Sequence, residues 1–355
     1  MIFGDKMDTK LFSINLREMD KEALGEAGQI IKQGGLVAFP TETVYGLGGD
    51  ALNKESSKKI YAAKGRPSDN PLIVHICCIE DLDAIVKYIP EEAKKLAAAF
   101  WPGPLTMILE KSDKVPMETT GGLSTVAVRM PKDPIALSFI RESGGYVAAP
   151  SANISGKPSP TLAKYVMEDM AGRIDAVIDG GEAVIGLEST IVDLTGEVPM
   201  ILRPGYITKE MLLEVLGQVD EDRTMMHGDV KEKPKAPGMK YRHYAPKGSL
   251  TIVSGEGKRV VEYINDLTRN AMEQGKKTGV IATSGNVSFY KADIIKNAGE
   301  RENEATIAKE LYRILREFDD EEVEVIYSEA FDESGIGQAI MNRLLKAAGH
   351  HIEYI

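Results

Sequence analysis

Two α/β units in series are the fold this sequence predicts: a strand-rich first domain, then a small parallel sheet. Three observations carry that expectation. At 355 residues the chain is too long for one small core, and two domains are the default at that length. From residue 250 onward strand and helix patterns alternate, as they do in a parallel sheet with covering helices. Between these regions, residues 218–248 lose all hydrophobic period and contain Pro234, Pro237, Gly238, Pro246 and Gly248, a linker by composition. The expected divisions are 1–217, a linker 218–248, and 249–355.

Residues 20–33 read as a helix, with Ala23, Ala27, Ile30 and Ile31 on one face and Gly34-Gly35 as its stop. A short apolar strand covers 36–39 and is broken by Pro40. Residues 54–63 form a second helix, and Pro67 biases Arg66 away from helical geometry. Residues 72–77 make an apolar strand buried on both faces. A helix at 91–100 precedes the turn Trp101-Pro102-Gly103-Pro104. Strands follow at 105–109, 125–130, 146–149, 174–178, 190–194 and 200–202, with helices at 134–141 and 162–170. In the second unit strands fall at 250–253, 279–282 and 323–327, and helices at 259–272, 305–318 and 337–348. Neither an internal repeat nor a low-complexity tract links the halves.

The 43% apolar and 27% charged content is that of a soluble globular chain. A net charge of −11 argues against broad nucleic-acid binding and leaves room for a local basic site. The two cysteines, Cys77 and Cys78, are adjacent in an apolar run. They read as small buried hydrophobes rather than a disulfide framework or zinc site. The first eleven residues lack the apolar core of a signal peptide. No window approaches twenty apolar residues, so the expected location is cytoplasmic, with no membrane association.

Two segments hold most of the chemistry. Lys64-Gly65-Arg66-Pro67 offers two cations, and Ser151-Ala152-Asn153 a hydroxyl and an amide. On extended backbone each pair shares a side, and the four together suit a polyphosphate. Alone, the first pair reads more readily as a cationic helix end and the second more readily as a common turn. Thr41-Glu42-Thr43-Val44-Tyr45-Gly46-Leu47-Gly48 follows a strand, and alternation puts Thr41, Thr43 and Tyr45 on one side. His75 in an apolar strand is more often a core residue than a catalyst. Arg129 shares a strand face with Thr125 and Ala127 and needs a carboxylate partner, from protein or substrate. The linker is basic, with six Lys or Arg against one acid from 231 to 247, and it carries Tyr241-Arg242-His243-Tyr244. Other chemistries find little support. There is no Gly-x-Ser-x-Gly elbow and no Walker-type loop. Gly255-Glu256-Gly257 starts a dinucleotide fingerprint, but Val260 stands where its third glycine belongs. The acidic tract Asp319-Asp320-Glu321-Glu322 reads as a solvated helix end.

Taken together, the segments form an ordered series. Pro-Thr-Glu-Thr-Val-Tyr-Gly-Leu is followed by Lys-Gly-Arg-Pro, Asn-Pro-Leu, Trp-Pro-Gly-Pro-Leu-Thr, Val-Arg-Met-Pro, Pro-Ser-Ala-Asn-Ile-Ser-Gly, Ser-Thr-Ile-Val-Asp and Arg-Pro-Gly. That series closely resembles the YrdC-like family. Pro-Gly-Met-Lys-Tyr-Arg-His-Tyr-Ala-Pro at 237–246 and the C-terminal unit resemble its long, two-domain form. The resemblance implies a twisted, open α/β sheet with a concave, positively charged face, then a Rossmann-like domain. It implies an enzyme that makes L-threonylcarbamoyladenylate from L-threonine, bicarbonate or carbon dioxide, and ATP with its Mg²⁺, releasing pyrophosphate. No metal ligand from the protein is implied. The product would pass to a downstream threonylcarbamoyl transferase acting on tRNA, with at most a weak RNA contact by this chain.

Carried over by motif position, Lys64, Arg66, Ser151 and Asn153 form the catalytic tetrad. Arg66, Asn70, Thr125, Ser151, Ser159 and Arg203 hold ATP, with Lys64 beside them and Tyr244 from the linker. Thr43, His75, Arg129, the Ala149 backbone and Ser189 hold threonine. Tyr241, His243 and Tyr244 belong to a lid. Two rivals are a carbamoyltransferase of hydrogenase maturation, for which the chain has neither length nor cysteines, and a noncatalytic RNA-binding module.

Overall fold

The structure, a computed structural model, describes residues 8–222 and 243–355. The described residues form two compact units, one of 8–155, 159–184 and 188–222, the other of 156–158, 185–187 and 243–355.

Eleven strands make the sheet of the first unit. Their order is Lys10–Ser13, Ala176–Asp179, Val37–Phe39, Gly46–Asp50, Val147–Ala149, Ile73–His75, Thr125–Arg129, Leu105–Glu110, Thr190–Asp193, Met200–Arg203 and Asp220–Glu221. Parallel and antiparallel pairings alternate irregularly. Ile73–His75 runs parallel to Thr125–Arg129 and antiparallel to Val147–Ala149. Both faces of the sheet are covered. Val37 and Phe39 join Leu24, Ile31, Phe139 and Ile140 in one core. Leu36 and Ala38, the alternate residues of the same segment, join Ile60, Val74 and Val128 in the other. That two-sided burial is why these strands are short, continuous apolar runs.

The helices begin and end where local chemistry stops them. Asp20 accepts from the Glu22 and Ala23 amides at the start of Lys21–Lys32. Asn53 caps Lys54–Lys64, and Gly65 closes it in the left-handed conformation at φ 62°. Lys64 is therefore the last helical residue, so Lys64 and Arg66 do not alternate on extended backbone as expected. The expected alternation of Thr41, Thr43 and Tyr45 is likewise absent, because residues 41–45 form a turn and the strand starts at Gly46. This glycine-rich strand leaves no signal in the sequence because it has no side-chain pattern. A Cβ on Gly48 would lie 2.8 Å from Val147 Cγ1, so only glycine fits there.

In the second unit five parallel strands lie in the order Ile294–Gly299, Thr278–Thr283, Val325–Glu329, Ser249–Ser254 and Ile352–Tyr354. Three long helices, Gly257–Glu273, Glu304–Asp320 and Gly335–Ala347, connect them. The two outer strands were not anticipated. Both are half-exposed edges, and Ile294–Gly299 carries Lys296 and Asn297, so neither shows an apolar run. Two further expectations change. Asp319 is buried and accepts from the Lys247 amide at 2.6 Å, so it is a structural anchor rather than a solvated acid. Cys78 is only half-buried, and both cysteine thiols face Asp81, Cys78 Sγ at 3.0 Å. They are not a purely apolar pair.

Candidate functional site

Side chains two apart on a strand share a face, and this places the polar site. Ile73, Ile108, Ala127, Ile191 and Leu202 form a small apolar cluster on the first sheet. Two residues along the same strands or their approaches stand His75, Thr106, Arg129 and Ser189. One sheet face thus passes from apolar to polar, and the polar end is buried: Arg129 is 4% exposed and Ser189 1%.

Arg129 is the centre of this end. Its Nη2 lies 2.8 Å from Glu42 Oε1, its Nη1 donates to Thr43 Oγ1 at 2.8 Å, and its Nε donates to the Gly103 carbonyl at 3.3 Å. The carboxylate that Arg129 requires is thus supplied by the protein. Thr43 Oγ1 also meets Thr41 Oγ1 at 2.8 Å, which the turn at 41–45 makes possible. His75 pairs in register with Arg129. Its Nδ1 lies 3.1 Å from the Ile73 carbonyl and its ring packs edge-on against Phe39. Burial first, and the Arg129 charge second, hold its pKa down at about 3, so the imidazole is neutral. Asp133 shows the opposite effect. It caps the helix Pro134–Glu142, and burial and the Glu42 charge push its carboxyl up to about 6.

Ser189 ties this end to Arg203. Ser189 Oγ meets Thr106 Oγ1 at 2.7 Å, and Arg203 donates to the Ser189 carbonyl through Nε at 3.0 Å and Nη2 at 2.9 Å. Arg203-Pro204-Gly205 can approach because Gly205 has no side chain. A Cβ there would lie 2.4 Å from the Thr190 amide nitrogen. Ser159 donates to Glu188 at 2.6 Å, one residue before Ser189.

A second cluster surrounds Lys64. Lys64 is 2% exposed, and its ammonium donates to the Asn153 carbonyl at 2.7 Å, to Asn153 Oδ1 at 3.4 Å and to the Ser151 carbonyl. Ser151 Oγ donates to Asn153 Oδ1 at 2.5 Å, and Asn153 Nδ2 to the Ile154 carbonyl at 2.8 Å. The loop is pinned from below by Leu47 N to Pro150 O and Ala152 N to Tyr45 O, both 2.8 Å. Of the expected tetrad, Lys64, Ser151 and Asn153 are therefore in mutual contact. Arg66 points elsewhere and donates to the Asn70 and Pro71 carbonyls. Parallel register sets Ile73 against Ala127, which puts Thr125 level with residue 71, beside Asn70 and Arg66. Ala149 lies opposite Ile73. The expected nucleotide residues Arg66, Asn70 and Thr125 thus gather at one end of these strands, and His75 and Arg129 mark the other.

Three residues of this network carried no role in the sequence reading: Glu42, Thr106 and Glu188. Glu42 was visible as the acid inside Pro-Thr-Glu-Thr. Nothing in the sequence paired it with Arg129. Tyr241 and residues 223–242 of the proposed lid lie outside the described residues. His243 and Tyr244 belong to the second unit, where Tyr244 is 5% exposed and its ring centroid stands 5.1 Å from that of Tyr312.

Comparison with known proteins follows this geometry. Residues 29–205 match the Sua5/YciO/YrdC family, described as telomere recombination, and residues 207–349 match the threonylcarbamoyl-AMP synthase C-terminal domain. A threonylcarbamoyl-AMP synthase of Pyrococcus abyssi is 49% identical over 96% of this chain and 98% of its own length. One from Bacillus subtilis is 48% identical over 93% of this chain and 94% of its own. The crystal structure of Pyrococcus abyssi Sua5 complexed with L-threonine superposes with a TM-score of 0.93 at 47% identity, covering 98% of this chain and all of that one.

Proposed function

We propose that this chain, which belongs to the two-domain threonylcarbamoyl-AMP synthase family, makes L-threonylcarbamoyladenylate from L-threonine, bicarbonate or carbon dioxide, and ATP. The observation that carries the reading is the buried Arg129, a guanidinium at the polar end of a sheet face that stands 2.8 Å from the Glu42 carboxylate. A substrate carboxylate can take Glu42's place on that guanidinium, since Arg binds carboxylates in a two-pronged way.

On this reading Arg129 holds the threonine carboxylate. Thr43, Ser189, His75 and the Ala149 backbone surround the rest of the amino acid. Neutral His75 offers a hydrogen bond without repelling Arg129. The threonine amine combines with bicarbonate to give a carbamate and water. A carbamate oxygen then attacks the α-phosphorus of ATP, and the bond to the pyrophosphate breaks. Adenylyl transfer of this kind asks mainly for positioning and charge stabilisation. Arg66, Arg203 and Lys64 supply the positive charge, with Mg²⁺ entering on ATP. Lys64 also fixes the 151–153 loop, so Ser151 and Asn153 meet the nucleotide from a rigid frame. Asn70, Thr125 and Ser159 complete its pocket. The activated product is a mixed anhydride, so a transferase that delivers it to tRNA must act next. A readily decarboxylated carbamate also benefits from exclusion of water, the role we assign to the basic linker.

Pyrophosphate release from ATP with Mg²⁺, omitting threonine or bicarbonate in turn, tests the reading. Release that requires both is expected. Release indifferent to both would assign the site to another acyl group.

A further inference from the structure

Glu42, for which the sequence suggested no role, has unusual surroundings. The turn that carries it is fixed. Thr41 Oγ1 donates to the Val44 carbonyl at 2.7 Å and accepts from the Thr43 and Val44 amides at 3.2 and 3.3 Å. The Tyr45 amide donates to the Pro160 carbonyl at 2.9 Å. The Glu42 side chain is 9% exposed and stands 2.8 Å from Arg129 Nη2. Yet among the described residues neither of its oxygens accepts an aligned hydrogen bond. Arg129 Nη2 likewise donates none, whereas Nη1 and Nε are engaged by Thr43 and Gly103. The pair is thus held by charge without a directed bond. A carboxylate has room for about four donors, and a buried one without an aligned donor is uncommon.

Both halves of this contact match one kind of ligand. Arg129 Nη2 lacks a directed acceptor and Glu42 lacks directed donors, so a molecule with both a carboxylate and an ammonium satisfies the two together. An α-amino acid is such a molecule. An acid without the amine would take Arg129 and leave Glu42 as a buried charge without its cation. His75 and Asp133 also lie within reach of the Arg129 charge, and both are otherwise engaged. Burial holds His75 at a pKa of about 3, which makes it a weak base. Asp133 accepts from the Ala136 amide at 2.9 Å as a helix cap.

We infer, resting on the synthase reading of the reaction, that Glu42 is a catalytic residue: it receives the threonine ammonium when the substrate carboxylate takes Arg129, and it accepts that ammonium's proton. The step needs a base, since an ammonium has no lone pair to offer carbon. One proton passes from nitrogen to Glu42. The freed lone pair forms the N–C bond to the bicarbonate carbon, the C–OH bond breaks, and the hydroxyl leaves as water with a second proton from nitrogen. Ammonium and bicarbonate thus become carbamate, water and one proton, and Glu42 holds that proton. Protonation also neutralises the buried charge that Glu42 carries once Arg129 is taken. The proton returns to solvent when the product leaves and the ion pair re-forms.

The test begins with calorimetric binding to the full parent chain. L-Threonine is expected to bind about tenfold tighter than the dihydroxybutanoate in which its ammonium is replaced by a hydroxyl. Equal binding would overturn the inference, and this arm needs no variant to fold. Glu42→Gln is expected to bind the two ligands alike and to slow threonine-dependent pyrophosphate release about a hundredfold. The same variant is expected to keep the reverse adenylyl transfer, ATP formation from pyrophosphate and L-threonylcarbamoyladenylate made by the parent enzyme, because no ammonium loses a proton in that step. Equal loss in both directions, or a hundredfold loss carried by Asp133→Asn instead, would overturn the proton role. Pyrophosphate release by the parent chain that ignores threonine would overturn the synthase reading, and the inference with it, before any variant is made.

Discussion

Arg129 and Glu42 form a buried ion pair that links the stability of the chain to the proposed threonine site. Both side chains are buried, so removing one partner leaves the other as an uncompensated charge. Breaking such a pair costs roughly 3–5 kcal/mol. Arg129→Met should lower unfolding stability by about that amount in urea, and adding Glu42→Gln should restore part of it. Neither variant should respond to threonine in pyrophosphate release. If Arg129→Met unfolds at the parental urea concentration, the pair carries no such weight. His75 gives a pH signature. Its pKa is about 3 folded against 6.5 ordinarily, so between these values the unfolded chain binds more protons and stability rises with pH. Asp133, about 6 folded against 3.8, acts in the opposite sense over pH 4–6, because there the folded chain holds the extra proton. His75→Asn should therefore flatten the rise in stability between about pH 4 and 6 by up to about 1.4 kcal/mol per pH unit. An unchanged slope in urea melts across that window would remove the buried neutral imidazole from the account.

At the scale of elements, close backbone approach decides where the site residues stand. Gly205 lets the turn after Met200–Arg203 lie against Thr190, and that approach delivers Arg203 to Ser189. In Gly205→Ala the new methyl has no room beside the Thr190 amide. Overpacking of this kind costs about 1–3 kcal/mol. A lower melting temperature together with a raised KM for ATP is the expected result. A lower melting temperature with ATP kinetics intact would separate the turn from the nucleotide site. The glycine-rich strand Gly46–Asp50 works similarly, since its bare surface admits Phe39 and Val147 on the side where a side chain would collide.

For the whole molecule, charge and topology set the expectations. With a net charge of −11, the chain should bind tRNA weakly. The log–log salt dependence should have a slope no steeper than about −3, few phosphates being neutralised. A steep slope in filter-binding or fluorescence titrations would instead make RNA recognition a principal function. No helix among the described residues is long and apolar enough to cross a membrane.

The sequence by itself determined the two-unit α/β plan and most helix boundaries, and it named the candidate residues of the site. These rest on local signals: apolar period, capping residues, turn glycines, and an ordered series of short motifs. Tertiary structure alone decided three things. It paired Arg129 with Glu42, since a charged strand residue announces that it needs a partner without saying which. It split the expected Lys64-x-Arg66 pair between two sets of contacts, because Gly65 ends a helix there and sends Lys64 to the 151–153 loop and Arg66 to residues 70–71. It also made strands of Gly46–Asp50, Ile294–Gly299 and Ile352–Tyr354, which carry little hydrophobic pattern and are held by hydrogen bonds to neighbours distant in the chain. Hydrogen-bonded pairing of that kind leaves no period in the sequence, because it uses the backbone that every residue shares.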